Sequence, residues 1–210
     1  LGVVCDGMGG ANGGCEASAI AIFEFSDFMR EALRHYIDES GEFTPSMSDA
    51  RMRRLMTQGV NRANDAVYNK AKENTELSGM GTTLVCTVST PERVYCMNVG
   101  DSRMYTVNNE DITQITKDHS YVQYLVDSGA ISAEEAEHHP QKNIITRAIG
   151  THDSVEGEFF VLESANVGRF IMLCSDGLTN FVKESHIHEI LISDGSDEEK
   201  IQKLVDAANS

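Results

Sequence analysis

The chain has no apolar run near the roughly 18 residues that span a bilayer, and no signal peptide is visible, so no transmembrane helix is expected. It has no Cys-x-x-Cys pair, and its cysteines are odd in number, at 5, 15, 86, 96 and 174. Neither a structural zinc nor a disulfide framework is therefore expected. Positive charge is scarce: 17 Lys and Arg stand against 33 Asp and Glu, a formal net charge of −16. With no basic patch to neutralise phosphates, direct binding to nucleic acid is disfavoured. Internal repeats, low-complexity segments and coiled-coil heptads are also missing. Cys5, Cys86, Cys96 and Cys174 fall in apparent strands, where a thiol behaves as a small apolar group. That usage predicts a reducing, cytoplasmic setting. If a hairpin turns about Pro91, Cys86 stands opposite Cys96, with two packed thiols favoured over a bridge.

What is present suits one sizeable core. The 210 residues, 40% of them hydrophobic, fit a single globular domain. Leu1 opens inside a strand, so part of the natural chain is expected upstream. A helix is predicted from Glu16 to Leu33, after a glycine-rich loop over 7–14. A second runs from about Ser48 to Lys72, with Met52, Leu55, Met56, Val60, Ala63 and Val67 on one face. The polar stretch 38–48, with Thr44-Pro45-Ser46, reads as their connection. Strands are predicted at 82–88, 93–99, 103–107, 112–116, 154–162 and 170–174. Short helices fit 121–128 and 133–137, and the end is helical over 183–192 and 197–208. Short connections make the central meander antiparallel. Helices, then strands, then helices indicate a layered arrangement.

Two apolar runs end abruptly in Asp-Gly: Leu1-Gly-Val-Val-Cys-Asp6-Gly7 and Phe170-Ile-Met-Leu-Cys-Ser175-Asp176-Gly177. Each reads as a buried strand delivering a carboxylate at its end. Side by side, such strands set two carboxylates on one rim, and a rim of that kind binds a hard cation. Either Asp alone is more often a turn residue or cap. The glycines at 7–14 follow neither the Gly-Lys-Ser/Thr nor the GxGxxG pattern; they suggest backbone passing close to a ligand, with the Gly7 carbonyl turned inward. In Asn98-Val-Gly-Asp-Ser-Arg103, a strand is broken by Gly-Asp-Ser, and Asp101 either serves a site or merely pairs with Arg103 or caps the turn.

Taken together, Val4-Cys-Asp-Gly-Met-Gly-Gly10, Gly79-Met-Gly-Thr-Thr83, Val99-Gly-Asp-Ser-Arg103, Thr116-Lys-Asp-His-Ser120 and Ser175-Asp-Gly-Leu178 resemble the metal-dependent protein phosphatases, the type-2C or PPM family. The first segment looks like the bacterial branch, and the resemblance runs from Val3 to Val182. It implies an α+β fold: a four-layer α-β-β-α sandwich, two antiparallel sheets flanked by helices, with a small mobile flap near residues 120–145. It implies one phosphatase domain over 1–210, cut short at both ends. It also implies Mn²⁺ or Mg²⁺ as cofactors, two ions with a third, weaker one. Asp6 would bridge the pair with the Gly7 carbonyl beside it, Asp176 would hold one of them, and Asp101 would hold the third. Asp6 and Asp176 are thereby the catalytic residues.

The chemistry agrees with that resemblance. Hydrolysis of a phosphate ester needs a nucleophile, leaving-group stabilisation and charge neutralisation, and two cations about 3.5–4 Å apart can supply all three. An acidic protein handling phosphate needs such cations to offset its own field. No Cys-x5-Arg loop is present, so attack by a metal-bound hydroxide on phosphoserine or phosphothreonine is expected, without a covalent intermediate. Partners are then phosphorylated proteins, substrates of Ser/Thr kinases, with neither nucleic acid nor membrane, and the protein is expected to be monomeric.

Three departures from the family pattern stand out. An Arg and an acidic ligand expected before Leu1, and a Gly-Gly-x-Asp-Asn segment expected after the last helix, are not in this sequence. Met8 stands where eukaryotic members carry a His proposed as general acid. His119, His138 and His139 are candidates for that role by residue type only. These departures leave open that residues 1–210 alone bind metal weakly or are inactive, and that the chain is a non-catalytic regulatory module of the same fold. A haloacid-dehalogenase-type hydrolase also begins with a strand ending in Asp. It needs an acid or hydroxyl two positions later, where Met8 stands.

Overall fold

The computed structural model describes residues 1–38 and 47–210. Apart from its ends, the connection expected at 38–48 lies outside the described residues. The strands are β1 (Gly2–Val4), β2 (Gly7–Met8), β3 (Gly81–Thr82), β4 (Leu84–Ser89), β5 (Arg93–Val99), β6 (Arg103–Val107), β7 (Ile112–Gln114), β8 (Glu158–Glu163) and β9 (Phe170–Cys174). The helices are α1 (Gly10–Leu33), α2 (Asp49–Glu73), α3 (Tyr121–Asp127), α4 (Ala133–Glu137), α5 (Asp176–Thr179), α6 (Glu184–Ile192) and α7 (Asp197–Ala208).

Two antiparallel sheets form, in the orders β1-β4-β5-β8 and β7-β6-β9, with β2-β3 as a small ribbon beside them. Alternation along β4 and β5 sorts side chains to the two faces of the first sheet. Leu84, Cys86, Val88, Tyr95, Met97 and Val99 pack under α1 and α2. Val85, Val94 and Cys96 face the second sheet, meeting Met104, Ile171 and Leu173. The other face of the second sheet, through Tyr105, Val107 and Cys174, carries α6 and α7 by way of Ile187, Leu191 and Leu204. The order is therefore helix, sheet, sheet, helix, as expected. No helix among the described residues is long and apolar enough to cross a membrane.

The local signals act as their chemistry dictates. The stripe Met52, Met56, Val60, Ala63 and Val67 of α2 is buried, and the Ser48 side chain caps the helix by accepting from Arg51 N. Such a cap contributes about 1 kcal/mol. The Asn108 side chain accepts from the amides of Glu110 and Asp111 and so closes the β6–β7 turn.

Three local expectations are corrected. The β4–β5 hairpin turns on two residues, Pro91 and Glu92, because Thr90 N bonds Arg93 O at 2.8 Å. The register is thus Cys86 with Met97 and Thr87 with Cys96. Cys86 and Cys96 then lie on opposite faces of the sheet, and all five cysteines are free. Next, α1 starts at Gly10 and not at Glu16, so most of the glycine-rich segment is helix. Gly9 and Gly10, at φ of 110° and 78°, swing the chain from β2 into it. Finally, the strand expected over 154–162 begins only at Glu158.

Candidate active site

The two strands that end in Asp-Gly are not neighbours in one sheet. β1 lies in the first sheet and β9 in the second, and they face each other across the sandwich. The contact is close: a Cβ on Gly2 would stand 3.3 Å from the Leu173 side chain. Asp6 and Asp176 therefore meet from opposite layers at one end of the molecule.

Their meeting bears on the Asp6 carboxyl. Burial, a hydrogen bond with the Asp176 carboxyl and repulsion from it all push the Asp6 carboxyl above the ordinary carboxylate range, against a lowering contact from Ser175. Asp101 belongs to the same group. Burial, then the charges of Asp176 and Asp118, raise it from an ordinary 3.8 to about 6, with Asp6 adding a smaller push. Asn180 Nδ2 donates to Asp176 Oδ2 at 2.9 Å and fixes that side chain at the start of α5. Like charges held together in a low-dielectric rim raise one another's pKa. A divalent cation bound among them would remove that cost.

The donors are all oxygens, as a hard cation such as Mn²⁺ or Mg²⁺ prefers. Among the described residues, no group of three or more His, Cys, Asp or Glu side chains stands in a geometry that holds a metal by itself. The Asp6–Asp176 pair, with Asp101 close by, fits such an ion in donor type and charge.

Asp6 is pinned through its backbone. Its amide donates to Thr83 Oγ1 at 2.9 Å, and its carbonyl accepts from Thr82 Oγ1 and Thr83 N, each at 2.9 Å. The Thr83 hydroxyl also pairs with Ser102 Oγ at 2.7 Å, inside the buried interior. One hydroxyl thus ties the Asp6 turn to the turn that carries Asp101. The motif Gly79–Thr83 was visible in the sequence, but its task was not, because its partners lie some 77 residues away in the chain. Gly7 pairs with Thr82 in the β2–β3 ribbon. Its carbonyl lies against α1: a Cβ on Gly14 would come within 2.6 Å of it. The glycines there serve a close backbone crossing.

The alternative task for Asp101, pairing with Arg103, does not hold. Arg103 Nη2 and Nε grip Asp118 at 2.7 and 2.9 Å, while Nη1 reaches the Tyr105 hydroxyl at 3.1 Å. Burial pulls the Arg103 guanidinium down, yet that fork of charge-assisted bonds holds it above its ordinary pKa.

Three histidines were candidates for proton transfer. His119 is 8% exposed, and both ring nitrogens are engaged: Nδ1 accepts from Gly100 N at 3.1 Å, and Nε2 faces Glu158 Oε2 at 3.3 Å. Burial first, then the nearby Arg147 charge, lower its pKa. His138 and His139 sit at the end of α4, where His139 Nδ1 accepts from Gln141 N and its ring lies 6.2 Å from that of Tyr121. None of the three hydrogen-bonds to Asp6 or Asp176. Met8, opposite Gly81 in the ribbon, offers no proton. Cys5, next to Asp6 in the chain, is pushed up to about 12 by burial and is no nucleophile at neutral pH.

Residues 121–137 form the short helices α3 and α4, anchored where Tyr121 N bonds Ile144 O at 2.8 Å and Thr146 N bonds His119 O at 2.7 Å. Beside them opens a cleft of about 450 Å³, lined by Lys117, His119, Tyr124, Arg147 and Glu158 among others.

Residues 1–204 match the model of a family described as Protein phosphatase 2C. The chain is 36% identical over 208 residues to the serine/threonine phosphatase stp of Listeria welshimeri, covering 99% of this chain and 78% of the relative. It is 33% identical over 210 residues to the protein phosphatase PhpP of Streptococcus pneumoniae, covering 99% and 79%. Its structure resembles the crystal structure of the serine/threonine phosphatase Stp1 from Staphylococcus aureus, with a TM-score of 0.81 at 36% identity, over 98% of this chain and 76% of that one.

Proposed function

Because the chain belongs to the protein phosphatase 2C family, we propose that Asp6 and Asp176 hold divalent cations with which it hydrolyses phosphoserine and phosphothreonine in proteins. It is a protein serine/threonine phosphatase, and its substrates are phosphoproteins. The finer reading is a two-cation centre. Asp6, the Gly7 carbonyl and Asp176 would hold the pair, and Asp101 would hold a third. Bound there, Mn²⁺ or Mg²⁺ would supply an activated water for direct attack on phosphorus and neutralise the phosphoryl oxygens.

The protein's own residues do the rest. Thr82 and Thr83 fix the Asp6 backbone, and Asn180 orients Asp176. The raised Cys5 thiol argues against a cysteinyl-phosphate route. The observation that carries the reading is the meeting of the Asp6 and Asp176 carboxyls, hydrogen-bonded to each other from the ends of strands in facing sheets. The protein is read as a cytoplasmic monomer acting against Ser/Thr kinases, in keeping with five free cysteines. The test is turnover of p-nitrophenyl phosphate by the full-length protein with Mn²⁺. Asp6→Ala should lower kcat/KM by about 100-fold or more, the scale for losing a group that stabilises transition-state charge. Wild-type turnover by Asp6→Ala would show that the assignment is wrong.

A further inference from the structure

Gly100 turns the chain from β5 into the Asp101 loop at a φ of 106°. No side chain fits there, since a Cβ would stand 2.6 Å from Thr83 Cγ2. Every polar group of its peptide is tied down. The amide donates to His119 Nδ1 at 3.1 Å, and the carbonyl accepts from His119 N at 3.0 Å and from Asn98 Nδ2 at 3.1 Å. Two of these three bonds come from one residue, His119, which follows Asp118 in the chain.

We propose that His119 is a positioning residue for this phosphatase, its unprotonated Nδ1 locking the Gly100 amide and so aiming Asp101 at its cation. This rests on reading Asp101 as a cation ligand. Accepting the Gly100 N–H leaves the ring proton on Nε2, where Glu158 Oε2 receives it at 3.3 Å. A carboxylate behind a histidine is the usual way a tautomer is fixed. Arg147 Nη1, 3.5 Å from Nε2, sets a positive charge beside the ring and disfavours a second proton. The far side of the ring borders the cleft that Arg147 and Glu158 help to line. His119 thus stands between that cleft and the Asp101 loop, and it moves no proton itself.

Two near-isosteric variants separate the roles of the ring nitrogens. Asn presents Oδ1 where Nδ1 stands and keeps an acceptor for Gly100; Gln reaches toward Glu158 and loses that acceptor. Calorimetric titration of the full-length protein with Mn²⁺ should show the weakest binding phase weakened about 10-fold or more in His119→Gln, the scale for losing an outer-shell partner. His119→Asn should recover most of it, and the tighter phases should hold in both. Equal Mn²⁺ binding by wild type and His119→Gln would overturn the proposal. So would equal weakening in both variants, which marks a merely structural ring. A measurement on the wild type guards against variants that fail to fold. Ring ¹⁵N spectra should show His119 Nδ1 unprotonated and coupled to the Gly100 amide, and a protonated Nδ1 contradicts the lock. None of these readouts needs turnover, so a protein that cleaved no phosphoester would sink the functional reading and leave His119 separately judged.

Discussion

Asp101 carries a cost that a bound cation would offset. Its folded-state pKa of about 6 lies above its ordinary 3.8, so the folded chain holds this proton more tightly than the unfolded chain. The sign follows: stability is lost as pH rises from 3.8 to about 6, and the deficit is complete above that. Asp101→Asn should therefore stabilise the metal-free protein at pH 7 by on the order of 1–3 kcal/mol in urea denaturation. The gain should vanish near pH 4. A variant equally stable or weaker at pH 7 removes the argument that this carboxylate is strained. Thr83 works in the opposite sense, since its hydroxyl satisfies both the Asp6 amide and Ser102. Thr83→Val should cost about 1–3 kcal/mol, the scale for orphaned buried polar groups, and Thr83→Ser much less. Denaturant midpoints decide between them. Asp6, Asp101 and Asp176 were legible only as members of ordered motifs, because a strand-ending Asp by itself reads more often as a turn residue or cap. Thr83 and His119 acquire their tasks only when distant segments meet, and no local pattern records that.

At the scale of elements, the start of α1 shows how a composition signal can be misread. Dense glycine suggested a loop around a ligand, yet the glycines let α1 pass against β2 with backbone touching backbone. Gly14→Ala would place a methyl 2.6 Å from the Gly7 carbonyl and force the two elements apart. It should destabilise the fold by about 1–3 kcal/mol and weaken Mn²⁺ binding with it, because Gly7 adjoins Asp6. Thermal unfolding with and without Mn²⁺ reads both effects, and an unaltered melting temperature would deny the crossing its importance. Helices with a clean 3.6-residue stripe, such as α2, and strands bounded by turn residues, such as β5 and β6, were legible almost to the residue. The β4–β5 register was not. A single residue in the turn decides which face each side chain takes, and Pro91 alone does not say whether the loop has two residues or three.

For the whole molecule, the four layers put two sheet ends together, and each contributes one carboxylate of the Asp6–Asp176 pair. That arrangement was legible as a family resemblance. The facing of β1 and β9 was not, because pairing between layers leaves no periodicity in either strand. The chain carries a formal net charge of −16, a field that should repel acidic phosphopeptides. Raising ionic strength from about 0.01 to 0.15 M shortens the screening length from about 30 to 8 Å and should raise kcat/KM for an acidic phosphopeptide. A basic phosphopeptide should respond in the opposite direction, and identical salt responses would show that the global charge has no part in substrate capture. The central claim is that facing strands gather carboxylates in order to hold divalent cations. Calorimetric titration of the full-length protein with Mn²⁺, beside Asp6→Asn, tests it most directly. The wild type should bind tightly, and Asp6→Asn should lose the tightest sites. Mn²⁺ binding of the same stoichiometry and affinity in both would contradict it.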